Sequence, residues 1–79
     1  MIKLNILNME KFLQKVNQCE DTVMFLHPDG RKENLNKQYT VQKELLQKFK
    51  ENKNSLRISL DIRNARDYMS IISYYTGDC

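Results

Sequence analysis

The sequence has no tryptophan, one proline, one histidine, two glycines and two cysteines. Each scarcity removes a mechanism. Gly30 and Gly77 stand alone and cannot build the backbone cradle that a P-loop offers to phosphate. Cys19 and Cys79 form no CxxC pair, and no histidine lies near enough to complete a metal site, so no metal and no cofactor are expected. A disulfide between them would close almost the whole chain, and a reducing compartment disfavours it. No apolar run approaches the roughly 20 residues of a membrane helix. The stretch "MIKLNILNMEK" lacks both a long apolar core and a small-residue cleavage site, which makes the cytoplasm the expected location.

What remains is an ordinary folded composition. The 79 residues are 41% hydrophobic and 29% charged, which suits one small domain over 1–79. The net charge of +3 is unevenly spread. From Arg31 to Arg57 there are eight basic and three acidic side chains, while each flank is slightly acidic. That segment either favours an acidic partner or serves as a solvated helix face in "KELLQKFKENK". The excess of Asn and Lys over Arg suggests an AT-rich bacterial genome.

The hydrophobic pattern predicts seven elements. "IKLNI" alternates Ile2, Leu4 and Ile6 with polar residues and reads as a strand. Asn8 offers a helix cap, and Met9, Phe12, Leu13 and Val16 then mark one helix face, ending near Asn17 or Gln18. "TVMFL" reads as a second strand. In "LHPDGRKENL" the rare His27, Pro28 and Gly30 cluster. Pro28 sits where a type I turn favours proline and Gly30 closes it, so "RKENL" becomes a short charged edge strand of a hairpin. Thr40 is the expected cap of a second helix with Val41, Leu45 and Phe49 as its stripe and Leu46 beside them. "SLRISLDIR" alternates Leu56, Ile58, Leu60 and Ile62 against Arg57, Ser59, Asp61 and Arg63. Asn64 caps a third helix, with Asp67 favoured at its N-terminus. Ala65, Tyr68, Met69 and Ile72 are its expected core face, flanked by Ile71 and Tyr75, and Gly77 is its expected stop.

The order β-α-β-β-α-β-α, with every strand apolar on one side, predicts an α+β two-layer sandwich. A four-stranded antiparallel sheet would carry three helices on one face. Lys3, Asn5, Arg57, Ser59 and Asp61 would lie on the open face. The alternative is a ferredoxin-like order with an extra helix.

Catalysis finds little support in these residues. His27 is the obvious catalytic suspect by residue type, but a hairpin tip is expected to supply neither an orienting group nor a pocket. Cys19 is followed by Glu20 and Asp21, and acids blunt a thiol. Glu20-Asp21 itself reads as a solvated turn. The chain is therefore read as not an enzyme. Sheet-based nucleic-acid binding needs exposed aromatics, and Phe25 is the only aromatic on a strand, flanked ambiguously by Met24 and Leu26. Tyr74 and Tyr75 are expected to pack.

Two stretches, "DTVMFLHPDGRKENLNKQ" and "LRISLDIRNARDYMSII", together with the element order and length, resemble the HPr family. These are the histidine-containing phosphocarriers of the bacterial sugar phosphotransferase system. The resemblance spans roughly residues 2–75. It implies a phosphoryl-accepting histidine at the start of the first helix, with an arginine soon after. Here that place reads "NILNMEK", and Asn8, Met9 or Glu10 would occupy it. None can carry phosphate. The regulatory serine of many members is also missing from the start of the second helix, where Lys37 or Gln38 stands. The resemblance thus implies a non-catalytic bacterial relative, an interaction or regulatory module. Its partner surface would lie on the first two helices, with Lys11, Lys15, Lys37, Lys43 and Lys48 around Met9 and Leu46. The expected partner is another protein with an acidic surface, not a membrane. The alternative is a small nucleic-acid or anion binder using segment 31–57.

Overall fold

The computed structural model describes residues 2–78, with side chains through residue 75. The elements follow the expected order: β1 (Ile2–Ile6), α1 (Met9–Asn17), β2 (Val23–Leu26), β3 (Lys32–Asn34), α2 (Tyr39–Glu51), β4 (Leu56–Ile62) and α3 (Ala65–Asp78). The strands form one antiparallel sheet in the order β1-β4-β2-β3. The fourth strand lies between the first and second. A ferredoxin-like sheet would place the third strand there, so that alternative is excluded.

Period-two alternation divides the sheet as expected. Leu4, Ile6, Val23, Phe25, Ile58 and Leu60 turn toward the helices, with Ile58 3% and Leu60 0% exposed. Lys3, Asn5 and Arg57 are exposed on the other face, and Ser59 and Asp61 are half-buried there. Phe25 resolves inward, which puts half-buried Met24 and Leu26 on the open face. Met24 lies opposite Asp61 and Asn34, and Leu26 opposite Ser59 and Lys32. The open face is thus drier than the sequence suggests.

All three helices feed a single core. Met9, Phe12, Leu13 and Val16 come from α1, Leu45 and Phe49 from α2, Ile71 and Tyr74 from α3. Full burial of each such aliphatic or aromatic side chain contributes roughly 1.5–3 kcal/mol. Asn8 caps α1 by accepting from the Lys11 N–H at 3.2 Å. Asn64 caps α3 by accepting from the N–H groups of Arg66 and Asp67 at 2.9 and 3.1 Å.

Two helix details depart from expectation. Thr40 does not cap α2: the helix begins at Tyr39, and Thr40 is exposed within its first turn. The chain has already reversed, with the Gln38 N–H donating to the Leu35 carbonyl at 3.2 Å and Lys37 at φ 60°. Buried Gln42 then pins the first turn by donating to that same carbonyl and to Asn17 Oδ1, each at 2.7 Å.

The α3 core face is rotated as well. Asp67, Ile71 and Tyr74 point inward, while Ala65, Tyr68 and Met69 are exposed. The cause is polar. Asp67, 5% exposed, accepts from the N–H groups of Glu20 and Asp21 at 3.1 and 2.9 Å. This sets the helix azimuth, and residues four and seven further on follow it inward. Gly77 does not stop α3, which runs on to Asp78. Cys79 lies outside the described residues.

Candidate functional site

The rare residues of "LHPDGRKENL" form the tip that joins β2 to β3. The His27 N–H donates to the Arg31 carbonyl at 2.8 Å, and the Gly30 N–H donates to the His27 carbonyl at 3.0 Å. Gly30 takes φ 94°, a conformation that suits glycine. Asp29 accepts from the Arg31 backbone N–H at 3.0 Å and from its Nε at 2.8 Å. That backbone N–H, with the guanidinium behind it, holds the Asp29 carboxyl below its ordinary range.

His27 is better supported than a bare tip would allow. Its side chain is 11% exposed, Nε2 meets Glu33 Oε1, and the ring lies against Phe25 with centroids 4.7 Å apart. The expectation of no orienting group and no pocket is therefore corrected. The signal lay in the hairpin register: Phe25 faces Glu33 across the strands, and His27 shares Phe25's side.

The same register explains the proline. Pairing between β2 and β4 runs from Val23–Ile62 to Leu26–Ser59 and stops. Pro28 would stand opposite Arg57, two steps on, but it has no N–H to continue the ladder and already belongs to the turn. Strand alternation then fixes where the Arg57 backbone points. Val23 and His27 bond toward β3, through Val23 O from Leu35 N–H and His27 N–H to Arg31 O. Met24 and Leu26 therefore bond toward β4, and Asp61, Ser59 and Arg57 turn their N–H and C=O toward β2. At Arg57 no strand is there to meet them.

A groove of about 600 Å³ opens at this notch. Pro28, Leu45, Leu56 and Ile58 give it an apolar lining, and Lys32, Lys48 and Arg57 add three cations. Its lining includes no aspartate and no glutamate. Two lining residues have carboxylate partners outside the lining: His27 meets Glu33, and Lys32 Nζ lies 3.8 Å from Asp61 Oδ2 in a weak, partly exposed pair. His27 forms part of one wall and Ser59 another. The two are not bonded to each other. They lie on opposite faces of the sheet, so serine and imidazole do not assemble into a nucleophile and base.

The residues of the partner surface expected on α1 and α2 are divided among separate clefts. Met9 is 1% exposed and belongs to the core. Lys11 and Lys15 line a cleft of about 240 Å³ beside Tyr74 of α3. Leu46 shares another, of about 250 Å³, with Leu7 and with Met9, so the two expected apolar positions do come together. Lys48 lies in the hairpin groove, and Lys37 and Lys43 are exposed away from all three. At the start of α1, Asn8 is a cap, and its carbonyl accepts from Tyr74 Oη at 3.1 Å.

Cys19 is buried, and its thiol donates to the Lys15 carbonyl at 3.4 Å. Burial pushes the thiol up to about 11, and the Asp67 carboxylate adds to the effect. The acid that acts on it comes from α3, not from the adjacent Glu20 or Asp21. Among the described residues no His, Cys, Asp and Glu side chains gather into a metal site, and no helix is long and apolar enough to cross a membrane.

Fold and groove together define a small α+β sandwich with an apolar, basic notch at one end of its sheet. Comparison with protein-family models, with curated proteins and with solved structures finds no match.

Proposed function

We propose that this chain is a non-catalytic binding module, a phosphocarrier-like frame without a phosphoryl acceptor, that takes an acidic protein partner at the hairpin groove. One observation carries the reading. Three cations from β3, α2 and β4 converge on an apolar lining with no carboxylate among the lining residues. Such a surface steers in an acidic partner and gains from burying apolar groups. The helix-borne surface implied by the resemblance is less favoured, because its lysines are divided among different clefts while Met9 and Leu46 share one apart from them. Soluble poly-glutamate titrated into the 15N-labelled protein tests the proposal. Amide shifts should concentrate at Lys32, Lys48 and Arg57, and Lys48→Glu together with Lys32→Glu should abolish them. Shifts centred on Lys11 and Lys15 would move the site to the α1 flank. Transfer of label from phosphoenolpyruvate through the phosphotransferase first enzyme to any side chain would refute the non-catalytic reading.

A further inference from the structure

We infer that the groove binds its partner by strand addition: an extended acidic segment pairs with the backbone of Arg57 in the place β2 vacates. This rests on the reading of the groove as an acidic-partner site and specifies the partner's form. Arg57 is the geometric centre. Its N–H and C=O face the notch as an adjacent donor and acceptor, the arrangement one strand offers another. Pro28 keeps the chain's own hairpin from using them. The volume of about 600 Å³ lies within the roughly 300–1,000 Å³ of ordinary ligand sites.

Side-chain alternation then dictates the sequence of the occupant. Residues directly opposite in a sheet share a face. The occupant's residue paired with Arg57 points to the open face, beside the Arg57 guanidinium and Lys32. An aspartate or glutamate there meets two cations. By the same register the place opposite Ile58 is His27's, so the segment begins at Arg57 and runs on past Leu56. Its second residue points the other way, over Leu56 and Leu45, with Lys48 on that side, and favours valine, isoleucine or leucine. The occupant is therefore the leading end of an extended acidic segment, an acidic residue followed by an apolar one. Nucleic acid fits less well, because this notch has no exposed aromatic platform for bases and its donors are arranged for a peptide backbone.

The test uses the full chain and a blocked hexapeptide alternating glutamate with valine from its first residue, compared with the same peptide N-methylated at that first glutamate. Affinity is read by titration calorimetry, and the Arg57 amide by hydrogen exchange. The parent peptide should bind and slow exchange at the Arg57 N–H. N-methylation should weaken binding roughly tenfold, the loss of about one backbone hydrogen bond. Lys48→Glu should weaken it too, with an unchanged circular dichroism spectrum showing that this variant folds. Equal affinity for both peptides, or unchanged exchange at Arg57, overturns strand addition. If poly-glutamate still binds in that case, the acidic-partner reading survives alone. Binding of neither acid defeats both. A single-stranded oligodeoxynucleotide that displaces the peptide, with affinity falling steeply and linearly in log salt, would assign the groove to nucleic acid instead.

Discussion

Asp67 is the residue whose removal should cost most for its size. It lies at the start of α3, yet its two carboxylate oxygens serve the distant Glu20 and Asp21 N–H groups, at 3.1 and 2.9 Å. These bonds fasten the α1–β2 connection to α3. Hydrogen bonds to an ionised acceptor contribute about 1.5–3 kcal/mol each. Glu20 and Asp21 are themselves exposed, so water can partly satisfy their N–H groups after a truncation. Asp67→Ala should therefore cost about 2–4 kcal/mol, against a total stability of roughly 4–12 kcal/mol for a chain of this length.

Urea unfolding followed by circular dichroism measures the loss as a fall in midpoint at unchanged slope. Asn64→Ala is the control, since it removes only the cap and should cost about 1 kcal/mol. A second readout is independent of stability. Asp67 is one reason the Cys19 thiol sits near 11. In an Asp67→Asn, Cys79→Ser protein the thiol should ionise at lower pH, though still above its ordinary value of 9.0, because burial is the larger cause. Asp67→Ala within about 0.5 kcal/mol of the parent, the scatter of ordinary surface changes, would refute the fastening role. An unmoved Cys19 titration would refute the proximity.

Cys19 also makes stability depend on alkaline pH. Its folded-state ionisation near 11 lies above the unfolded 9.0, so its contribution is whole below pH 9 and is lost as pH rises to 11, on the order of 2 kcal/mol. Cys19→Val should lack that increment in parallel unfolding curves; identical pH profiles would contradict the burial argument. Gly30→Ala meets no neighbouring atom, so its cost is backbone strain at φ 94°, about 1–2 kcal/mol in thermal unfolding. A loss much smaller than that would mean the turn relaxes out of the left-handed region.

Much of the fold was legible because it rests on periodicity. Leu56, Ile58, Leu60 and Ile62 could face only one way together, and Asn8 and Asn64 stood where caps belong. What escaped was set by polar contacts across the chain. The α3 stripe of Ala65, Tyr68, Met69 and Ile72 is as regular as the true face, and only the tie from Asp67 to residues 20 and 21 chooses between them. Thr40 is as good a cap as Asn64 by composition. The reversal at Leu35–Gln38 and the buried amide of Gln42 start the helix before it. The groove was hidden for a different reason. His27 was read in its turn alone, whereas Glu33 reaches it only once the hairpin register is known. Strand order, which places β4 beside β2, cannot be seen from either strand separately.

The basic stretch from Arg31 to Arg57 admitted two readings, a solvated face or a binding surface, and the structure divides its residues between exposed positions and the groove. Arg31 is occupied by Asp29, while Lys37, Lys43, Lys50 and Lys53 are exposed. They give the domain surface charge. Lys32, Lys48 and Arg57 come from three elements that meet only where the sheet loses a strand partner. That loss traces to the single proline: a residue without an N–H, held in a tight turn, stands where the ladder needed a donor. The turn it begins is closed by the His27 and Gly30 backbone bonds before the Arg57 backbone is reached, and the three cations flank the opening. The proline that shapes the tip is thus the same residue that leaves the notch open.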